Sequence, residues 1–150
     1  MTKIVINDCF GGFGLSPKAL KRYAELKGKE CYFFKSTLDD KYTPLKIEEI
    51  ESIFWTAFTV PNPEEVLPKE KIGEYGNYLE YNQAYGKIEL NSRDISRTDL
   101  YLIKVVEELG KDANDYCSEL KVVEIPDDIE WTIEEYDGNE TIHEKHRSWG

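Results

Sequence analysis

The chain opens on a short apolar run, Ile4-Val5-Ile6, halted by Asn7-Asp8. β-Branched side chains fit a pleated surface, so this run predicts a buried strand ending in a turn. The nine residues from Cys9 to Pro17 carry three glycines and then Ser16-Pro17. A serine hydroxyl accepts from the first free helical amides, and proline is preset for the first helical position, so a helix is predicted from Pro17. Ala19, Leu20, Tyr23 and Ala24 recur at helical spacing, and Gly28 supplies the left-handed residue that closes such a helix. Cys31-Tyr32-Phe33-Phe34 reads as a second apolar strand. Strand, helix and strand in that order make a right-handed parallel crossover if both strands share a sheet; an antiparallel arrangement stays open.

Ile53 to Val60 is rich in aromatic and β-branched residues and predicts a strand with both faces partly covered. Pro61, Pro63 and Pro68 predict an irregular loop after it. Tyr75, Tyr78, Tyr81 and Tyr85 step by three and four, as on one helix face, while Gly73, Gly76 and Gly86 weaken any helix there, so residues 61–86 have no single reading. Ile88-Glu89-Leu90 predicts a short strand. The clearest helix has Ser96 or Thr98 as cap, Asp99 in its first turn and a stripe of Leu102, Val105, Val106 and Leu109 that stops at Gly110. Leu120 to Ile125 is a strand halted by Pro126, and Ile129, Trp131 and Ile133 alternate with Glu130, Thr132 and Glu134 in a half-buried strand. Asp137-Gly138 is a hairpin turn, with Thr141 to His146 as the returning strand. The expected class is α+β: a mixed or antiparallel sheet with two main helices and a C-terminal β-hairpin.

At 150 residues and 40% hydrophobic side chains, the expectation is a single domain spanning 1–150. Such a chain buries roughly 70% of its unfolded surface and needs no disulfide or metal staple. Thirty acidic against 19 basic residues leave a net charge of −11, which argues against a nucleic-acid binder, because phosphate contacts need Lys or Arg in a positive field. No segment approaches the roughly 20 apolar residues of a membrane span, and the first residues lack the pattern of a signal peptide, so no membrane partner and a cytoplasmic location are expected. Cys9, Cys31 and Cys117 are widely spaced and odd in number, which predicts free thiols. Cys9, directly after a strand, is the candidate reactive one.

Two segments offer chemistry. In the turn from Asn7 to Ser16, glycines allow backbone amides to approach a ligand, and the following helix start favours a phosphate or carboxylate. The alternative is a tight strand-to-helix connection with Phe10 or Phe13 in the core. The glycine spacing matches neither a Walker loop nor a dinucleotide fingerprint. The second segment, Arg93 to Asp99, holds two of the chain's four arginines. A guanidinium grips a phosphate or carboxylate with two parallel bonds; alternatively Arg93 pairs with a nearby acid and Asp99 only caps the helix. His143 and His146 point to opposite faces of a strand, so neither a metal site nor another cofactor is expected.

The run from Lys3 to Ser16, with Arg97-Thr98-Asp99, Val105 to Gly110, Val123 to Asp128, Glu134 to Gly138 and Glu144 to Arg147, resembles a family of small, largely uncharacterised phage and prophage proteins. The likeness covers both ends and leaves out the proline- and tyrosine-rich middle. It implies a phage accessory protein in the host cytosol. By analogy with the Thoeris anti-defence sponges, it implies a non-catalytic, homo-oligomeric protein that sequesters a small nucleotide-like anion. Asn7, Gly11 and Gly12 would contact that ligand, Phe13 or a tyrosine would stack, and Arg93 and Arg97 would neutralise phosphate. Two other classes stay open. One is an acidic protein that inhibits a host nucleic-acid-binding enzyme, marked by an acidic face including Glu130 and Glu134; the other is a small nucleotide hydrolase.

Overall fold

The computed structural model describes residues 1–35, 43–50, 55–66 and 77–145. The chain divides into two compact units, Met1–Tyr23 with Ser92–Gly150, and Ala24–Asn91. Its class is α+β, and every described strand pair is antiparallel.

In the first unit, β1 (Thr2–Asn7) pairs along its length with β5 (Leu120–Ile125), with Ile4 opposite Val123 and Asn7 opposite Leu120. β1 buries four successive residues, Ile4 to Asn7, so both of its faces are covered. One cover is the helix α4 (Leu100–Leu109), which packs on β1 and β5. Its Leu102, Ile103, Val105 and Val106 are buried. Each such side chain contributes about 1.5–3 kcal/mol when fully withdrawn from water. Asp99, rather than the expected Ser96 or Thr98, caps α4: one carboxylate oxygen accepts from the Tyr101 amide at 2.8 Å and the Leu102 amide at 3.3 Å. The other accepts from the Tyr23 hydroxyl at 2.8 Å, tying the helix start to α1 (Pro17–Leu26).

α1 begins as expected, with Ser16 Oγ accepting from the Ala19 amide at 3.1 Å. At its far end, Gly28 has φ +72°, its amide donates to the Glu25 carbonyl, and the Lys29 amide donates to the Ala24 carbonyl. These paired bonds are a Schellman closure, which requires a left-handed residue. The remaining strands of this unit form the hairpin β6 (Trp131–Tyr136) and β7 (Asn139–Glu144), and β7 packs on β1. The hairpin turn has positive φ at both Asp137 (49°) and Gly138 (86°), the twist that suits a two-residue connection. This turn places Asn139 opposite Tyr136, so the returning strand starts two residues before the expected Thr141 and ends at Glu144; His146 lies outside the described residues.

In the second unit, β2 (Tyr32–Lys35) is central, flanked by β3 (Thr43–Leu45) and β4 (Trp55–Phe58). Successive residues of a strand point to opposite faces, and both Phe33 and Phe34 are buried. Phe34 meets Phe58 with ring centroids 5.7 Å apart, and Phe58 meets Tyr85 at 5.2 Å, both edge to face. Tyr85 and Ile88 reach this cluster from α3 (Asn77–Ile88).

Two expectations need correction, the condition for a parallel crossover goes unmet, and one strand ends earlier than expected. β1 and β2 lie in separate sheets, so no parallel crossover forms; β1 instead finds its partner more than a hundred residues away. The proline-rich stretch is not wholly irregular, because Pro63 opens the one-turn helix α2 (Pro63–Val66), at a position where its missing amide costs nothing. Ile88-Glu89-Leu90 is not a strand: Ile88 ends α3, and Glu89 makes a single bridge to Phe58. The apolar run from Ile53 yields a strand over Trp55–Phe58, with Ile53 and Phe54 outside the described residues. A third long helix, α3, joins the two expected. No helix among the described residues is long and apolar enough to cross a membrane.

Asp99→Ala removes both the cap and the tether to Tyr23. It is expected to cost about 1–2 kcal/mol in denaturant unfolding, with Asp99→Asn escaping most of that loss because its oxygen still caps. Equal losses for the two substitutions would mean that charge, not capping geometry, is what the helix start requires.

Candidate functional site

The turn from Asn7 to Ser16 and the segment around Arg97 do meet, at the edge of β1 facing away from β5. The Val5 amide donates to the Arg97 carbonyl at 2.9 Å, and Arg97 Nη1 donates back to the Val5 carbonyl at 3.2 Å. Arg97 thereby substitutes for a neighbouring strand at that point. Its guanidinium is held by Glu140 of β7 in two parallel bonds, Nη1 to Oε1 at 2.6 Å and Nη2 to Oε2 at 2.8 Å. The same Oε1 accepts from the Asn7 amide at 2.8 Å. Beneath the guanidinium lies the Phe13 ring, with its centroid 3.6 Å from Cζ. The Arg97 side chain is 21% exposed and that of Glu140 7%, so water screens this pair little and each charge depends on the other.

Asn7 is fully buried and uses every hydrogen-bonding position of its side chain. Nδ2 donates to the carbonyls of Cys9 at 2.9 Å and Gly138 at 2.7 Å. Oδ1 accepts from the Glu119 amide at 2.8 Å and the Cys9 thiol at 3.3 Å. One amide thus ties together its own turn, the turn before β5 and the tip of the β6–β7 hairpin. The glycines serve the same closure. A Cβ on Gly11 would run into the Cys117 carbonyl, and one on Gly138 would lie 2.8 Å from the Gly11 backbone. Gly12 has φ +112°, a conformation that side-chain-bearing residues rarely adopt.

The structure therefore brings Asn7, Gly11, Gly12, Phe13 and Arg97 into one place. The close approach that the glycines permit is of protein on protein, and the carboxylate in the Arg97 fork is the chain's own. Phe13 is buried, as the core alternative anticipated, while Phe10 stands exposed. Arg93 sits in the one-turn 3₁₀ helix Ser92–Asp94 with its side chain exposed. Cys9 is half-buried, and its single thiol proton is shared between Asn7 Oδ1 and the Cys117 carbonyl, which lies 3.4 Å from the sulfur. His143 lies exposed on β7, 3.3 Å from Glu134 and 2.8 Å from the Thr141 hydroxyl. Among the described residues no group of three His, Cys, Asp or Glu side chains is placed to hold a metal. An open groove of about 840 Å³ lies along α4, lined by Met1, Lys3, Leu100, Ile103 and Lys104 among others. Its Lys3 is already paired with Glu107 at 3.1 Å.

Glu140, Gly138 and Tyr136 belong to this place, and local sequence reasoning gives them no part in it, reading Gly138 only as a hairpin turn. Nothing near Glu140 sets it apart from the other acids of the C-terminal strands; only the fold presents it to Arg97. Comparison with protein-family models, with curated proteins and with solved structures gave no match.

Arg97→Ala leaves Glu140 buried without its countercharge and opens the edge of β1. It is expected to lower stability by about 3 kcal/mol in denaturant unfolding. Asn7→Ala, which strands two carbonyls and an amide, is expected to cost a similar amount, about 2–4 kcal/mol. An unchanged unfolding midpoint in Arg97→Ala would show that the pair does not support the fold.

Proposed function

We propose that this protein acts by binding, as an acidic interaction protein that covers a basic, nucleic-acid-binding surface of another protein. In the phage setting that the sequence resemblance implies, the other protein is a host enzyme and the encounter takes place in the host cytosol. One observation carries this reading. Residues 122–144 contain nine Asp and Glu and neither Lys nor Arg, and eight of the nine carboxylates are exposed, Glu140 being the exception. Glu130 and Glu134, the residues whose exposure the reading requires, are among the eight.

Strand residues rise about 3.4 Å each, so neighbouring carboxylates of the hairpin fall within the roughly 8 Å over which charges act at physiological salt. Their fields add, which speeds encounter with a basic surface and makes binding fall as salt rises. A few of these acids have basic neighbours in their own chain: Glu124 is 3.8 Å from Lys3, and Asp127 binds Thr2 and the Met1 ammonium. The Thr2 hydroxyl, then that ammonium, hold the Asp127 carboxyl below its ordinary 3.8, so it keeps its charge in mildly acidic solution.

A second reading, sequestration of a nucleotide-like anion, draws support from the three donors that converge on Glu140. Two guanidinium N–H groups and the Asn7 amide form the kind of cradle that also holds a phosphate. An incoming anion has to displace Glu140, however, and leave a buried carboxylate without its partner, which is costly. This is why the protein-binding reading comes first.

The two are separable. The full chain, immobilised and exposed to host extract, is expected to retain proteins that duplex DNA elutes, and to lose them when Glu130, Glu134, Glu135 and Asp137 are replaced by Gln or Asn. Retention indifferent to both DNA and salt would rule out the acidic-surface reading. Tight binding of a nucleoside diphosphate by the native chain, weakened in Arg97→Lys, would favour the anion reading in its place.

A further inference from the structure

Three loops of the first unit end together. The hairpin tip rests on Gly11-Gly12 through Gly138, and the turn at residues 115–118 closes on Gly11 through the Cys117 carbonyl. Each loop carries one large ring into solvent: Phe10 is 69% exposed, Tyr116 68% and Tyr136 74%. The Phe10 and Tyr136 rings meet edge to face, with centroids 6.5 Å apart. Single exposed aromatics are ordinary on a surface; three on abutting loops, anchored from below, match the composition of binding surfaces. The anchoring is the Asn7 and Arg97–Glu140 network, so little ordering remains to be done on binding.

The charged residues within these three loops all have one sign. Residues 7–14, 115–119 and 134–140 include neither Lys nor Arg. Asp8, Glu119, Glu135 and Asp137 are exposed there. A second copy of the chain would set these carboxylates against their equals, and a nucleic acid would meet them with phosphates; both are repelled. Arginine satisfies rings and carboxylates together, because its flat guanidinium stacks on an aromatic face and grips a carboxylate in the same plane. The interior of this unit already contains that combination in Arg97, stacked on Phe13 and held by Glu140.

We infer that this end of the molecule docks an arginine-bearing segment of a partner protein. Guanidinium groups stack on Phe10, Tyr116 and Tyr136 and pair with Asp8, Glu135 and Asp137. The inference rests on the acidic-surface reading and sharpens it, by naming the surface and the residue type it selects.

The test is fluorescence anisotropy with labelled deca-arginine and deca-lysine peptides, using the full chain near physiological salt. The native chain is expected to bind deca-arginine at least about fivefold more tightly than deca-lysine. Phe10→Ala with Tyr136→Ala, and separately Tyr116→Ala, are expected to remove that preference while leaving the thermal midpoint within a degree or two, since these rings lie outside the core. Glu130→Gln with Glu134→Gln should weaken both peptides alike. Equal binding of the two peptides, unmoved by the aromatic substitutions, overturns the docking surface and leaves the acidic reading standing. Failure to bind either peptide removes both. Self-association in sedimentation that disappears in the aromatic variant would make this end a contact between copies and overturn the inference as well.

Discussion

The first unit is organised around one buried ion pair that completes the edge of a strand. Among the described residues β1 has β5 on one side only, and an open strand edge leaves amides and carbonyls that must find partners. Arg97 meets this demand twice at Val5, accepting with its carbonyl and donating with its guanidinium. Glu140 meets it once more at the Asn7 amide. Because the guanidinium and the carboxylate also hold each other, the segment before α4, the first strand and the last strand are fastened at a single point. Separate weak contacts at the same three places would leave an edge open to water or to another chain.

The glycine turn belongs to the same arrangement. Where backbone packs against backbone there is no room for a Cβ, and Gly11 and Gly138 mark two such contacts. Asn7 then supplies hydrogen bonds to polar groups that this packing removes from water. The result is a stiff platform with its chemistry turned inward, and rings and carboxylates left on the outside. A platform of this kind is what the proposed binding role requires. It is less suited to admitting a small ligand, because the side chains of Asn7, Arg97 and Glu140 already have their bonds within the chain.

Charge distribution adds a second level. The carboxylates of residues 122–144 are mostly exposed, and the hairpin that bears many of them is also the element that supplies Glu140. The one buried acid secures the strand, and the exposed acids on it face solvent. Fold stability and surface potential are therefore carried by different residues of one short segment, so the surface can be changed without unfastening the strand beneath it.

Much of the local structure was legible in the chain. Ser16 and Pro17 dictate where α1 begins, Gly28 where it closes, and Asp137-Gly138 the hairpin turn, because each of these signals acts within a few residues and depends on backbone geometry alone. The stripe from Leu102 to Val106 likewise marks α4 and its buried face. The partner of β1 was not legible: Ile4-Val5-Ile6 specifies a buried strand, and several later apolar runs satisfy it equally until packing selects Val122-Val123. Nor was the fate of the arginines. A guanidinium near a glycine turn reads the same whether its carboxylate will be a ligand's or Glu140's, 43 residues further on. Residue type by itself determined that a fork-shaped cation and an amide-rich bend were present; the tertiary structure decided that they serve each other, because only the closing of β7 on β1 brings the chain's own anion within reach.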